Sequence, residues 1–198
     1  MREILLIGSG NPGKAAELAQ LLEGLPWEVK DLQAFREVLP PVEDGATFEA
    51  NAVKKASYFA DCFDVACVAD DSGLEVDALG GAPGVRSARY AGEDGNDAAN
   101  RKKLLAALKG VPKGGRAARF VCCAAFVRPG QAPHIERGTV EGLIAFEERG
   151  TGGFGYDRLF IPEGYSRTFA EMPPAEKHAI SHRGRALRKL RAYLKSIR

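Results

Sequence analysis

Ile4 to Ile7 is a short, wholly apolar run that stops at Gly8, and a segment of helical period starts a few residues later. An apolar run of that length bounded by glycine suits a strand buried on both faces. Ala15, Leu18, Leu21 and Leu22 then recur at helical spacing over residues 14–23. The same alternation continues. A helix is predicted over residues 47–61, opened by Thr47 and Ala50, with Ala52, Val53, Ala56, Phe59 and Ala60 as its apolar stripe. Val65 to Ala69 reads as a second buried strand and Leu74 to Ala78 as a third. Residues 96–108 read as a helix stopped by Gly110 and Pro112. Arg119 to Val127 and Ile135 to Ile144 read as long strands, and Pro129-Gly130 between them suggests an antiparallel ribbon. A last helix is predicted over about 176–197, where Leu187, Leu190, Leu194 and Ile197 recur at three and four. Helices alternate with strands early and strands run together later, so the expected class is α/β with a mixed sheet flanked by helices.

A chain of 198 residues can bury one core, and a single domain over residues 1–198 is expected. The net charge of +2, from 28 basic and 26 acidic residues, is too close to neutral to imply a nucleic-acid partner. Seven basic residues lie between Arg183 and Arg198 with no acid among them. They read as the solvated face of an amphipathic helix whose cations suit its C-terminal end. Cys62, Cys67, Cys122 and Cys123 lack zinc spacing and are too few for a disulfide framework, so reduced, buried thiols are expected. The longest apolar run, Val121 to Val127, is far short of the ~18 residues of a membrane span. The N-terminus enters a strand at once, so no signal peptide is expected, and a cytoplasmic enzyme without a membrane partner fits.

Four segments carry chemistry. Gly8-Ser9-Gly10-Asn11-Pro12-Gly13-Lys14 lies between a strand and a helix. There the backbone can approach an anion, free N–H groups await it, and Lys14 adds charge. The spacing fits G-x-x-x-x-G-K, but Ala15 stands where a P-loop has the Ser or Thr that reaches magnesium. Asp70 and Asp71 follow a buried strand, where paired carboxylates must be solvated, paired or metal-bound. Because successive side chains alternate sides, one of the two could face a site. Thr151-Gly152-Gly153-Phe154-Gly155-Tyr156-Asp157 offers two aromatics that can stack on a planar base, with Asp157 as an acceptor. Glu176-Lys177 and Ser181-His182-Arg183-Gly184 gather hydrogen-bond donors at the start of the last helix. Taken singly, each has a plain structural reading: a tight turn, core aromatics, or surface charge.

Together these segments resemble the inosine triphosphate pyrophosphatase (Ham1-like) family. The matches are Ser-Gly-Asn-x-x-Lys at 9–14, DGATFEANA at 44–52, ADDSGLEVDALGGAPGVRSARYAG at 69–92, GTGGFGYD at 150–157, Phe169 to Met172, and EKHAISHRGRAL at 176–187. They occur in family order from end to end. The resemblance implies an elongated α/β sheet, two lobes around a nucleotide cleft, and a homodimer. It also implies magnesium-dependent cleavage of non-standard purine nucleoside triphosphates (ITP, dITP, XTP) to a monophosphate and pyrophosphate. By motif position, Ser9, Gly10, Asn11, Pro12, Gly13, Lys14 and Lys55 would hold the triphosphate, with Lys14 also serving catalysis. Asp71 would be general base and metal ligand, with Asp70 beside it, Ser72 a substrate contact and Glu43 a second metal ligand. Phe154, Gly155 and Tyr156 would flank the purine, while Asp157, Lys177, His182 and Arg183 would read its edge. The chain departs from the family pattern at Ser9 (a common threonine), Arg158 (the usual proline) and Ala50 (where glutamate is frequent).

Three other readings share parts of this pattern. A P-loop phosphotransferase would explain Lys14 but not Ala15. A pyrophosphatase for modified pyrimidine nucleotides would share the chemistry and differ in base readout. A non-enzymatic nucleic-acid-binding module would use the basic last helix and bind with a steep salt dependence.

Overall fold

Leu5 and Ile7 pair with Val29 and Asp31 on one side and with Ala66 and Val68 on the other, parallel in both cases. This places the first apolar run inside a sheet, as its composition demands. The computed structural model describes residues 2–197. In chain order its main elements are β1 (Ile4–Ile7), α1 (Pro12–Leu22), β2 (Glu28–Asp31), α2 (Phe48–Phe63), β3 (Ala66–Val76) and α3 (Asp97–Ala107). There follow β4 (Ala117–Val127), β5 (His134–Ile144), β6 (Phe160–Pro162), α4 (Pro174–Ile180) and α5 (His182–Ser196), with short 3-10 turns between. The strands form one six-stranded sheet in the order β2-β1-β3-β4-β5-β6. β5 and β6 are antiparallel, so the sheet is mixed. Residues 128–133 are too short for the crossover of a parallel pair, which makes neighbouring β4 and β5 the expected antiparallel ribbon. The class is α/β, with helices flanking the sheet.

Two compact units divide the chain. The first takes in the residues up to Asp71, Cys122–Gly138, and the segment from Arg183 on; the second is Ser72–Val121 with Thr139–His182. In the first, β1 and parts of β3 and β4 bury Leu5, Ile7, Val68 and Ala124 against Leu18 and Leu22 of α1 and Leu187, Leu190 and Leu194 of α5. The stripe read from the sequence of the last helix is the buried one. In the second, Leu74 and Val76 pack with Leu104 and Leu108, Phe120, Val140, Ile144, Phe160 and Phe169. Buried Arg116 there donates to the carbonyls of Leu108, Ile144 and Ala145, which compensates a charge that would otherwise be costly to bury.

Two expectations need correction. Residues 65–69 and 74–78 are not separate strands; β3 runs unbroken from Ala66 to Val76. Asp-Asp-Ser-Gly favours turns, but β3 continues past its pairing with β1, which covers Ala66 to Val68, as the neighbour of β4, and membership of the sheet outweighs local propensity. Where β1 no longer accompanies it, the Leu74 N–H donates to Ser87 Oγ and the Val76 N–H to the Ala82 carbonyl. The predicted helix over 176–197 is two helices, α4 and α5. Ser181 between them is extended (φ −64°, ψ 155°), and serine is a residue type that favours helix starts. The apolar stripe belongs to α5 alone. β2 and β6 were not predicted; each is short, and β2 is polar at both ends. Cys67, Cys122 and Cys123 are buried thiols and Cys62 is partly exposed, with no disulfide among them. Among the described residues no helix is long and apolar enough to cross a membrane.

Candidate active site

The first unit holds the glycine-rich loop and the aspartate pair. Asn11 caps α1: its Oδ1 accepts the Lys14 N–H at 3.0 Å, and Pro12 follows at the first helical position, where no N–H is needed. Ser9 Oγ lies 3.4 Å from the Asn11 nitrogen, tightening the turn that carries Gly10 and Gly13 into the helix. Lys14 Nζ lies 3.6 Å from Asp70 Oδ2 on β3.

Asp70 and Asp71 lie mid-strand, so their side chains leave β3 on opposite faces. Asp70 is fully buried and surrounded by cations: Arg183 Nε is 3.2 Å away, besides Lys14, and Cys122 Sγ donates at 3.7 Å. Burial alone would raise the Asp70 carboxyl, but Lys14 and Arg183 outweigh it and hold the group well below the usual carboxylate range. Arg183 also pairs with Glu17 at 2.5 Å and is 2% exposed. Its guanidinium therefore braces α1 and β3.

Asp71 has the opposite background. Burial pushes its carboxyl above the ordinary value, against the pull of Lys14, the Asn51 hydrogen bond and Lys55, and nearby Glu43 adds to the rise. Asn51, on the buried face of α2, donates to Asp71 Oδ2 at 2.9 Å and accepts the Gly45 N–H at 2.7 Å. Lys55, one turn further along α2, pairs with Glu43 at 2.7 Å. One aspartate is thus a permanent anion locked among cations, and its neighbour is a carboxylate whose proton affinity has been raised.

No group of three His, Cys, Asp or Glu side chains suited to a metal occurs among the described residues. Magnesium asks for less, since it is bound through one or two carboxylates plus phosphate oxygens and water. Asp71 and Glu43 repel one another electrostatically and supply hard oxygen donors, so this donor set fits it.

The second unit holds the remaining predicted residues. Asp157 Oδ2 accepts from the Phe154 N–H at 2.9 Å and from Lys177 Nζ at 2.8 Å. Lys177 Nζ also lies 4.9 Å from the centre of the Phe154 ring. Gly153 permits this arrangement: its φ is +70°, and a Cβ there would collide with Asp157 Oδ2. Phe154, Asp157 and Lys177 therefore form one aromatic, acidic and basic group. Tyr156 is buried, with its hydroxyl donating to the Ser87 carbonyl at 2.9 Å, so it supports the loop from beneath. His182 is buried too, stacked on Phe120 at a centroid distance of 4.6 Å. Ser72 is partly buried on β3, where the second unit begins. Arg158, the departure from proline, is half exposed and faces Glu148 at 3.5 Å.

The Ham1 family profile matches residues 5–193. The chain belongs to the Ham1 family. A dITP/XTP pyrophosphatase of Syntrophobacter fumaroxidans is 52% identical over 94% of this chain and 80% of its own length. A protein of the same name from Geobacter sulfurreducens is 47% identical over 96% of both chains. The structure of a Ham1 protein from Coxiella burnetii superimposes with a TM-score of 0.90 at 41% identity, covering 98% of this chain and 99% of that one.

Within this Ham1 chain, sequence reading overlooked Asn51, Glu17, Asp97 and Arg101. Asn51 left a trace, being an amide in the apolar stripe of a predicted helix, where an unpaired polar group would be costly. Glu17 left none, because a glutamate on α1 reads as solvated until Arg183 is seen beside it. Asp97 and Arg101 looked like ordinary charges of α3. They hold Gly155, accepting its N–H at 2.6 Å and donating to its carbonyl at 2.9 Å, respectively.

Proposed function

We propose that this Ham1 chain hydrolyses non-standard purine nucleoside triphosphates (ITP, dITP and XTP), releasing the nucleoside monophosphate and pyrophosphate. The observation that carries the reading is the asymmetry of the aspartate pair. Asp70, clamped by Lys14 and Arg183, organises positive charge where a triphosphate would be neutralised. Asp71, with its proton affinity raised by burial, is a stronger base than an ordinary aspartate and suited to take a proton from water. The curated relatives named as dITP/XTP pyrophosphatases support the substrate class.

Ser9 to Lys14 and Lys55 hold the triphosphate through backbone N–H groups at the start of α1 and two ammonium groups. Asp71 and Glu43 would hold magnesium, which when bound supplies neutralisation and orientation of phosphate oxygens. Asp71 accepts a proton from the attacking water, the water oxygen bonds to the α-phosphorus, the bond from that phosphorus to the α,β-bridging oxygen breaks, and pyrophosphate leaves with that oxygen. The protein's own work is positioning and electrostatics.

In the second unit Phe154 offers a stacking face, Lys177 a donor and Asp157 an acceptor. Hypoxanthine and xanthine present a 6-oxo acceptor beside an N1–H donor. Adenine presents the reverse and would leave buried groups unpaired, a mismatch that discriminates by orders of magnitude. A cytoplasmic homodimer that uses no nucleic-acid or membrane partner goes with this reading.

A panel of ITP, dITP, XTP, ATP and GTP with magnesium, assayed separately for pyrophosphate and orthophosphate, tests the assignment. ITP should yield IMP and pyrophosphate. Orthophosphate with IDP as first products would overturn it in favour of a P-loop type of phosphotransfer.

A further inference from the structure

Both backbone polar groups of Gly155 are held by side chains one helical turn apart. Asp97 Oδ2, in the first turn of α3, accepts the Gly155 N–H at 2.6 Å. Arg101 Nη1 donates to the Gly155 carbonyl at 2.9 Å. Residues four apart share a helix face, so α3 presents an acceptor and a donor as a matched pair to a single residue. Gly155 has φ +59°, a left-handed conformation that a flexible loop would leave readily.

The clamp is anchored in turn. Arg101 is 8% exposed, and its Nε lies 3.0 Å from Glu148. α3 is also held by Asn100, which accepts the Ala91 N–H at 2.6 Å and donates to the Ala88 carbonyl at 2.9 Å. Phe154 precedes Gly155, and Asp157 follows two residues later. The direction of the Phe154 ring and of the Asp157 carboxylate depends on the two peptides flanking Gly155, which are the peptides Asp97 and Arg101 hold.

We infer that Asp97 and Arg101 are positioning residues for base selectivity: by gripping Gly155 from α3 they set the pose of Phe154 and Asp157. This rests on the reading that Phe154, Asp157 and Lys177 recognise the base. Neither residue touches the nucleotide in this scheme. Their effect falls on recognition and leaves the phosphate chemistry of the first unit alone.

The test is steady-state kinetics of the full-length enzyme with magnesium, following pyrophosphate release from ITP and from ATP. The variants are Asp97→Ala, Arg101→Ala, Asp97→Asn and Lys177→Met, each checked for folding by thermal melting. Asp97→Ala and Arg101→Ala should raise KM for ITP roughly tenfold, keep kcat within about threefold, and lower the ITP-to-ATP ratio of kcat/KM about tenfold. Asp97→Asn still offers an oxygen to the Gly155 N–H and should keep most of the parent ratio. Folded Asp97→Ala and Arg101→Ala with the parent ratio, alongside a collapsed ratio in Lys177→Met, would overturn the clamp and leave base recognition standing. An unchanged ratio in Lys177→Met would overturn the base-reading assignment and the clamp with it. Should Asp97→Ala not fold, Arg101→Lys reads the same quantity, because it keeps the charge beside Glu148 and loses the planar reach to Gly155; an unchanged ratio there overturns the inference.

Discussion

Asn51 donates its side-chain amide to Asp71 Oδ2 at 2.9 Å while its carbonyl accepts the Gly45 N–H at 2.7 Å. One fully buried residue of α2 thereby aims the carboxylate of β3 and ties down the loop before its own helix. Asn51→Ala removes both bonds and leaves the partly buried Gly45 N–H without that partner. Stability should fall by about 1–3 kcal/mol, measured by urea unfolding, and kcat for ITP should fall at least about tenfold as Asp71 loses its aim. Parent-like kcat in a folded Asn51→Ala enzyme would remove Asn51 from the reaction.

Asp71 is the predicted proton acceptor, so Asp71→Asn should lower kcat about 10²–10⁴-fold. Activity within a few-fold of the parent would end the assignment. The pH dependence has a definite sign. Activity requires ionised Asp71, and its carboxyl is raised. The acid limb of kcat/KM should therefore be shifted upward from that of an ordinary aspartate and disappear in Asp71→Asn. For stability the sign reverses. A raised folded pKa contributes stability that is fully present below the unfolded value and lost as pH rises through the folded one. At neutral pH Asp71→Asn should thus be at least as stable as the parent, trading fold stability against activity.

Asp70 behaves oppositely. Despite burial, Lys14 and Arg183 depress its carboxyl, so its contribution to stability is present above the unfolded pKa and lost as pH falls through the folded one. Asp70→Asn leaves Arg183 and Lys14 facing a neutral amide in a dry environment. Breaking one partner of a buried ion pair costs about 3–5 kcal/mol. Urea unfolding at neutral pH should show that loss, and it should shrink in acid. A loss that is the same at every pH would mean that Asp70 matters by shape alone.

Withdrawing magnesium with a chelator should abolish pyrophosphate release, and adding magnesium back should restore it. Glu43→Gln should raise the magnesium concentration needed for half-maximal rate, while the melting temperature without metal stays near the parent value. An unchanged magnesium requirement in that variant would assign the second carboxylate elsewhere.

Much of this was legible in the sequence, for identifiable reasons. Gly8 to Lys14, Asp70-Asp71 and Gly152 to Asp157 are contiguous, and contiguous motifs carry their geometry with them. The α5 stripe of Leu187, Leu190 and Leu194 was legible because packing on one face imposes a period. What was hidden depends on partners distant in sequence. Turn-forming residues at 70–73 suggested a break in β3 because its neighbour β4, about 50 residues on, cannot be seen locally. Nothing near Arg183 announces Glu17, 166 residues away. α4 and α5 merged in the reading because a cap such as Ser181 interrupts a helix without interrupting its composition.

Arg183 decides between two roles, and its contacts favour one of them. The sequence grouped it with Lys177 and His182 as a reader of the base edge, but its Nε faces Asp70 at 3.2 Å and its Nη1 faces Glu17 at 2.5 Å. Burial works against its charge, yet Asp70 and Glu17 raise its affinity for the proton further. An arginine bound this firmly to two carboxylates ties α1 to β3. Arg183→Ala would leave the buried Asp70 anion with Lys14 but without its closer partner, costing up to about 3–5 kcal/mol of stability, so Arg183→Lys is the gentler variant. It keeps one charge and loses the forked geometry. Turnover of ITP and ATP should fall together in Arg183→Lys, about tenfold or more, with the ITP-to-ATP ratio within twofold of the parent. Lys177→Met should lower the ratio itself. If Arg183→Lys instead shifts the ratio as strongly as Lys177→Met, the guanidinium reads the base after all, and Asp70 and Glu17 are the partners it must leave in order to do so.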